Sequence, residues 1–121
     1  MSDQAPHDPA ANAPYPDVVS LMRTGAAEWA YLEASDQHPL YVSDQDPRDR
    51  STCYELCDEK WVPLVARPDA KALGEWTLIT RKGGERQWAY RHRAVYTLVH
   101  DSNDAPLGNG KDGHHLLPIF R

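Results

Sequence analysis

The triplet Trp29-Ala30-Tyr31 returns 59 residues later as Trp88-Ala89-Tyr90, and this echo limits the fold more than any other feature of the chain. Behind the first copy stands Leu40-Tyr41-Val42-Ser43-Asp44-Gln45-Asp46, and behind the second Val95-Tyr96-Thr97-Leu98-Val99-His100-Asp101. In each, a tyrosine precedes an aspartate by five residues. Ahead of each copy lies another apolar stretch that ends at a glycine turn. These are Val18 to Arg23 before Thr24-Gly25, and Trp76 to Arg81 before Lys82-Gly83-Gly84. Both halves therefore read strand, turn, strand, turn, strand.

The local patterns agree with strands. Trp76, Leu78 and Thr80 alternate with Thr77, Ile79 and Arg81, a period of two. Val95 to His100 is apolar on both alternating faces, which marks an interior strand. Gly83-Gly84 supplies the positive φ angles of a tight hairpin. One three-stranded unit alone is marginal in water. The expected fold is therefore mainly β, with two repeated antiparallel three-stranded units forming a sandwich or barrel-like core. One short helix is expected between them, over Ser51 to Trp61. Ser51 or Thr52 would cap it, and Cys53, Cys57 and Trp61 would lie along one stripe. After a flexible leader at 1–16, rich in Ala, Pro, Asp and Asn, residues 17–121 form a single domain. The Asp101 to Gly113 stretch reads as a loop, and His115 to Phe120 as a last strand pairing with an edge.

Charge narrows the function. A net charge of −5 argues against nucleic-acid or anionic-membrane partners, which need a concentrated basic face. The basic cluster of Arg81, Lys82, Arg86, Arg91, His92 and Arg93 reads as a solvated rim. No stretch approaches the roughly 20 apolar residues of a membrane-spanning helix.

Three runs together resemble a known family: Leu40 to Asp46, then Ser51-Thr52-Cys53-Tyr54-Glu55-Leu56-Cys57, then Trp61-Val62-Pro63-Leu64. The chain is similar to bacterial secreted-repeat lipoproteins. They carry a Tyr-x-aromatic-x-x-Asp motif and a Cys-x-x-x-Cys segment leading to Trp-x-Pro-Leu. Ile79 to Gly84, Gln87 to Tyr90, Val95-Tyr96 and the Gly-rich loop near the C-terminus extend the likeness over residues 17–121. The motif's aromatic position carries Ser43 in one copy and Leu98 in the other, and the family's late Trp-His stands here as His114-His115. The resemblance implies export and a periplasmic or cell-envelope location, with an envelope protein or small ligand as partner. It implies no particular reaction.

Cys53 and Cys57 are the only cysteines. One helical turn apart, their Cα atoms would lie about 6 Å from each other, within disulfide range. In an oxidising compartment they would form a structural disulfide. As two thiolates with a histidine, they would instead suit copper(I), in the manner of copper-delivery proteins with a Cys-x-x-x-Cys pair. No cofactor is otherwise expected. His100, His114 and His115 are the histidines that converge if the last strand lies beside Val95 to His100, although adjacent strand residues face opposite ways. Asp101, Asn103, Asp104 and Asp112 crowd a glycine-bearing loop that could hold calcium, but their spacing does not match an EF-hand and fits turn chemistry. Trp29, Trp76, Trp88 and the repeat tyrosines Tyr31, Tyr41, Tyr90 and Tyr96 read as core, with an aromatic ligand platform as the alternative. Asp46 and Asp101 fall at strand ends, where capping a turn would explain them. No catalytic constellation emerges. The expected function is that of a non-enzymatic envelope or periplasmic binding domain, with metal handling by Cys53, Cys57 and a histidine as the alternative.

Overall fold

A computed structural model describes residues 14–23, 29–101 and 107–117 of the chain, with the side chains of Arg23 and Trp29 left aside. Residues 1–13 of the expected 1–16 leader, the Thr24-Gly25 turn, Asn103, Asp104 and the end of the last strand lie outside the described residues.

The protein is mainly β. Strands β1 (Val19–Arg23) and β2 (Trp29–Glu33) pair as a separate two-stranded sheet. A seven-stranded sheet contains β3 (Tyr41–Ser43), β4 (Trp61–Pro63), β5 (Val65–Ala66), β6 (Trp76–Thr80), β7 (Arg86–Tyr90), β8 (Arg93–Leu98) and β9 (His114–Leu116). Its path runs β5-β7-β8-β3-β9, with β4 on β8 and β6 on β7. Every pairing is antiparallel, and among the described residues the sheet does not close into a barrel.

Strand β8 is the hub, because β3, β4 and β7 all pair with it. Arg91 and His92 join β7 to β8 in a two-residue turn, both with positive φ (50° and 70°), the twist a tight hairpin requires. Beyond Ala89 and Ala94 this hairpin opens, and the segment carrying β4 and β5 enters the gap. There the Leu64 N–H donates to the Val95 carbonyl at 3.0 Å, and the Leu64 carbonyl accepts from the Trp88 N–H at 2.9 Å. The split hairpin keeps its backbone groups satisfied through a third chain segment.

Alternation along the strands gives the sheet two apolar faces. Leu40, Leu64, Ala66, Trp76, Trp88, Tyr90 and Val95 face the β1–β2 hairpin, packing with Val19 and Tyr31. Tyr41, Trp61, Ile79, Ala89, Ala94, Tyr96 and Leu98 face the other way, onto Cys53 and the segment around it. A sheet covered on both sides explains why β8 is buried on both of its faces from Ala94 to Leu98. Tyr15 also touches the hairpin side, edge-on to Tyr31 at 5.7 Å, and Pro16 is buried.

The two halves share strand order but not pairing. The second half is a meander, β6-β7-β8. In the first, β3 leaves β2 after a single bridge between Leu32 and Pro39 and pairs with β8 and β9 instead. The helix is also shorter than its pattern predicts. Helix α1 covers only Leu56–Lys60; Cys53 precedes it and Trp61 opens β4. Glu55 adopts a positive φ of 60°, which prevents a helix from running continuously from Ser51. The last strand pairs with β3, not beside β8, so His100 is not drawn toward His114 and His115 by that pairing.

Candidate functional site

Chemistry-bearing side chains gather around the disulfide segment, in a buried polar network and in a cleft next to it. The network starts at Asp46, which is 2 % exposed. Its Oδ1 accepts from the Thr52 N–H and hydroxyl, each at 2.8 Å, and its Oδ2 accepts from the Tyr96 hydroxyl at 2.6 Å. The Tyr96 hydroxyl also meets Ser51 Oγ. Burial, then the hydrogen bond to Asp46, pushes Tyr96 well above the usual tyrosine range. Arg81 closes the network from just past the end of β6. It donates to Ser51 Oγ at 3.1 Å, to Gln87 Oε1 at 2.9 Å and to the Cys53 carbonyl at 2.7 Å, and it lies 4.3 Å from the Tyr54 ring centre. Its charge is met by Asp58 at 3.4 Å. Gln87, fully buried, passes the chain on by donating to the Val95 carbonyl at 2.8 Å.

Tyr41 makes the matching contact at the other motif. Its hydroxyl donates to Asp101 Oδ2 at 2.7 Å and accepts from the Gly108 N–H at 3.1 Å. Asp101 also takes the Leu107 N–H at 2.8 Å. Burial and Asp101 push Tyr41 upward as well. A side chain at Gly108 would collide with Trp61 at 2.7 Å, so glycine here lets the tail lie flat on the aromatic core.

The cleft is lined by Gln45, Leu56, Cys57, Lys60, Trp61, Asp112 and His114, about 350 Å³ in volume. Cys53 and Cys57 are joined in a disulfide, with Cα atoms 5.1 Å apart. The buried Cys53 sulfur rests 3.8 Å from the Trp61 carbonyl, while Cys57 reaches the cleft. The His114 imidazole stacks on the Trp61 indole, 3.6 Å between centres and 2° from parallel. Its Nδ1 donates to the Asp112 carbonyl at 3.1 Å, which leaves Nε2 as the unprotonated nitrogen. That nitrogen is buried and has no hydrogen-bond partner. Burial holds the His114 pKa below the usual histidine range, against the opposing pull of the Asp112 and Lys111 backbone hydrogen bonds. Asp112 Oδ2 accepts from Lys60 at 2.7 Å and from Trp61 Nε1 at 3.2 Å, and these contacts hold its carboxyl below the ordinary range.

Of the residues singled out by sequence, Cys57, Asp112 and His114 line this cleft, and Cys53 is bonded to it through sulfur. His100 stands exposed in a turn with φ 58°, and His115 faces solvent with Nε2 2.7 Å from Asp44. Adjacent His114 and His115 face opposite ways, one buried and one exposed, as strand geometry requires. Asp101 is committed to Tyr41 and the tail backbone and Asp112 to Lys60 and Trp61, while Asn103 and Asp104 lie outside the described residues. Among the described residues no group of three or more His, Cys, Asp and Glu side chains is placed to hold a metal ion.

Two residues exceed their sequence reading. Arg81, expected on a solvated rim, is 6 % exposed and centres the polar network. Asp46, expected to cap a turn, is a buried acceptor for three donors. One sequence signal existed for Arg81: it follows Ile79 on the same strand face, and Ile79 packs inward. Comparison with family models, with curated proteins and with solved structures gives no match.

Proposed function

We propose that this chain is a non-enzymatic binding and interaction domain of the cell envelope or periplasm, of the secreted-repeat lipoprotein kind, built by internal duplication. The observation that carries the reading is the crossed use of the Tyr-x4-Asp motif. Strand β3 meets β8 with Tyr41 opposite Tyr96, so the two motifs face each other antiparallel. Each tyrosine then bonds to the other motif's aspartate, Tyr41 to Asp101 and Tyr96 to Asp46. A two-fold relation between duplicated halves would produce this exchange, and the buried rings of Tyr31 and Tyr90, 5.5 Å apart, obey it too. The motif's polar groups are occupied in joining the halves, which supports a structural role for them rather than a chemical one. The disulfide suits an oxidising compartment. A cleft open to a ligand is that of Cys57, Trp61 and His114, rimmed by the Lys60–Asp112 pair and by Leu56, which is 81 % exposed.

Fractionation of bacterial cells making the protein, followed by thiol titration without reductant, tests the reading. Recovery from the envelope or periplasm with no titratable thiol is the expected outcome. A cytoplasmic protein with two free thiols would overturn it.

A further inference from the structure

The two ends of the disulfide stand in different surroundings. Cys53 is 4 % exposed and belongs to the buried cluster of Tyr41, Trp61, Ile79 and Tyr96, with its sulfur 3.8 Å from the Trp61 carbonyl. Cys57 is half-buried and lines the cleft of about 350 Å³. Which sulfur of a disulfide a thiolate attacks depends on access, and the attack runs in line, from the side facing away from the sulfur that leaves. Such an approach to Cys53 would have to pass through the buried cluster, whereas Cys57 is approached from the cleft. The rim also offers both charges that an amino-acid head group needs. Lys60 Nζ and Asp112 Oδ2 lie 2.7 Å apart there, each close to half exposed. An exposed pair of this kind is weak, so it opens readily to a ligand's carboxylate and ammonium.

We infer that Cys57 is a site of thiol–disulfide exchange, at which a small amino-acid thiol of the cysteine class attaches through its sulfur. The inference rests on the cleft being open to a ligand. The incoming thiolate sulfur bonds to Cys57 Sγ as the Cys53–Cys57 bond breaks. The electron pair of that bond leaves on the Cys53 sulfur, which takes a proton from water. No further oxidant or reductant is consumed. The released Cys53 thiol stays in apolar surroundings, where the Trp61 carbonyl is placed to accept its S–H. Arg81, the cation beside it, is committed to the Cys53 carbonyl and to Asp58. A thiol held in this way is a poor nucleophile, because the thiolate is the attacking species. Cys53 therefore returns slowly onto the mixed disulfide, and the adduct on Cys57 outlives the encounter. The segment stays anchored through Arg81 and Asp46 while the cleft wall carries a new side group.

The test uses the full oxidised chain. It is incubated with cysteine, quenched with N-ethylmaleimide in denaturant, and mapped by tandem mass spectrometry of the tryptic peptide 51–60, which contains both sulfurs. One cysteine adduct per chain is expected, on Cys57, with maleimide on Cys53. The same reaction run in urea should spread the adduct over both sulfurs, because unfolding removes the difference in access. Lys60→Gln should slow the reaction with cysteine by about twofold to fivefold and leave that with uncharged 2-mercaptoethanol unchanged. An adduct on Cys53 or an even split in the folded chain would overturn the inference, as would full reduction without an adduct or no reaction at all. Equal slowing of both thiols by Lys60→Gln would overturn the choice of an amino-acid thiol. Fractionation and the thiol count above report on the resting chain, so either reading can fail while the other stands.

Discussion

Asp46 is where a single atom has most to lose. Three donors converge on its carboxylate inside the fold, and the amide of Asp46→Asn can serve only one of its two positions as an acceptor. The substitution should lower unfolding free energy by about 1–3 kcal/mol, read as a shift of the urea midpoint. Tyr96→Phe should cost part of the same energy, and the double variant less than the two losses added, because both touch one bond. Additive losses would mean that the hydroxyl and carboxylate are not coupled. Gly108→Ala is a separate test of packing. Its methyl would meet Trp61 and Tyr41 at 2.7 and 3.0 Å, so a loss of about 1–3 kcal/mol is expected. A neutral result would show that the tail does not seat on Trp61. At this scale the sequence was readable for apolar residues and not for polar ones. Tyr31, Tyr41, Tyr90 and Tyr96 were legible as core because aromatic repeats have to fill a core. Arg81 was not, since its partners (Ser51, Gln87 and the Cys53 carbonyl) come from segments that only the fold assembles.

The element most dependent on side chains is the segment from Asp46 to Lys60. It contains only one turn and a half of helix, and it is held by the disulfide on one side and Arg81 on the other. The disulfide closes a short loop, so Cys53→Ala with Cys57→Ala should cost about 2 kcal/mol by chain entropy. Arg81→Met should cost more, because Gln87 Oε1, Ser51 Oγ and the Cys53 carbonyl lose a buried donor together. Chemical denaturation of both variants ranks them, and a smaller loss for Arg81→Met would show that this segment is held chiefly by its sulfur bridge. The strands around it were visible as alternation. The helix was overread because its i, i+4 cysteine spacing imitates a helical stripe. In fact a positive-φ Glu55 starts a new element between the two sulfurs.

For the whole molecule, pH acts from both ends. His114 is neutral and buried, with its pKa pushed down by burial. An unfolded histidine takes its proton near pH 6.5, so below about that value the unfolded chain binds a proton the folded one refuses, and stability falls as acid is added. At the alkaline end, Tyr41 and Tyr96 are both pushed up by burial and by their aspartates. Unfolded tyrosines ionise near pH 10, so stability declines above that point while the folded hydroxyls keep their protons. Urea midpoints measured across the range should therefore drop on both sides. His114→Phe should flatten the acid side and Tyr96→Phe the alkaline one; a curve unchanged by either would refute the assignment. Antiparallel β structure was legible from the alternating strands, while two matching three-stranded units were not what the fold built. The partner of β3 was not legible, because pairing across a sheet depends on which edges the rest of the chain leaves open.

The strand on which everything else is hung, β8, is also among the last to be made. Until residues 93–98 exist, β3, β4 and β7 have no common neighbour, and Leu64 has no slot to enter. Such long-range closure slows folding, and the seven-stranded sheet cannot be completed before β8 is present. The β-strand that unites the sheet thus sets a late, all-at-once step in assembly.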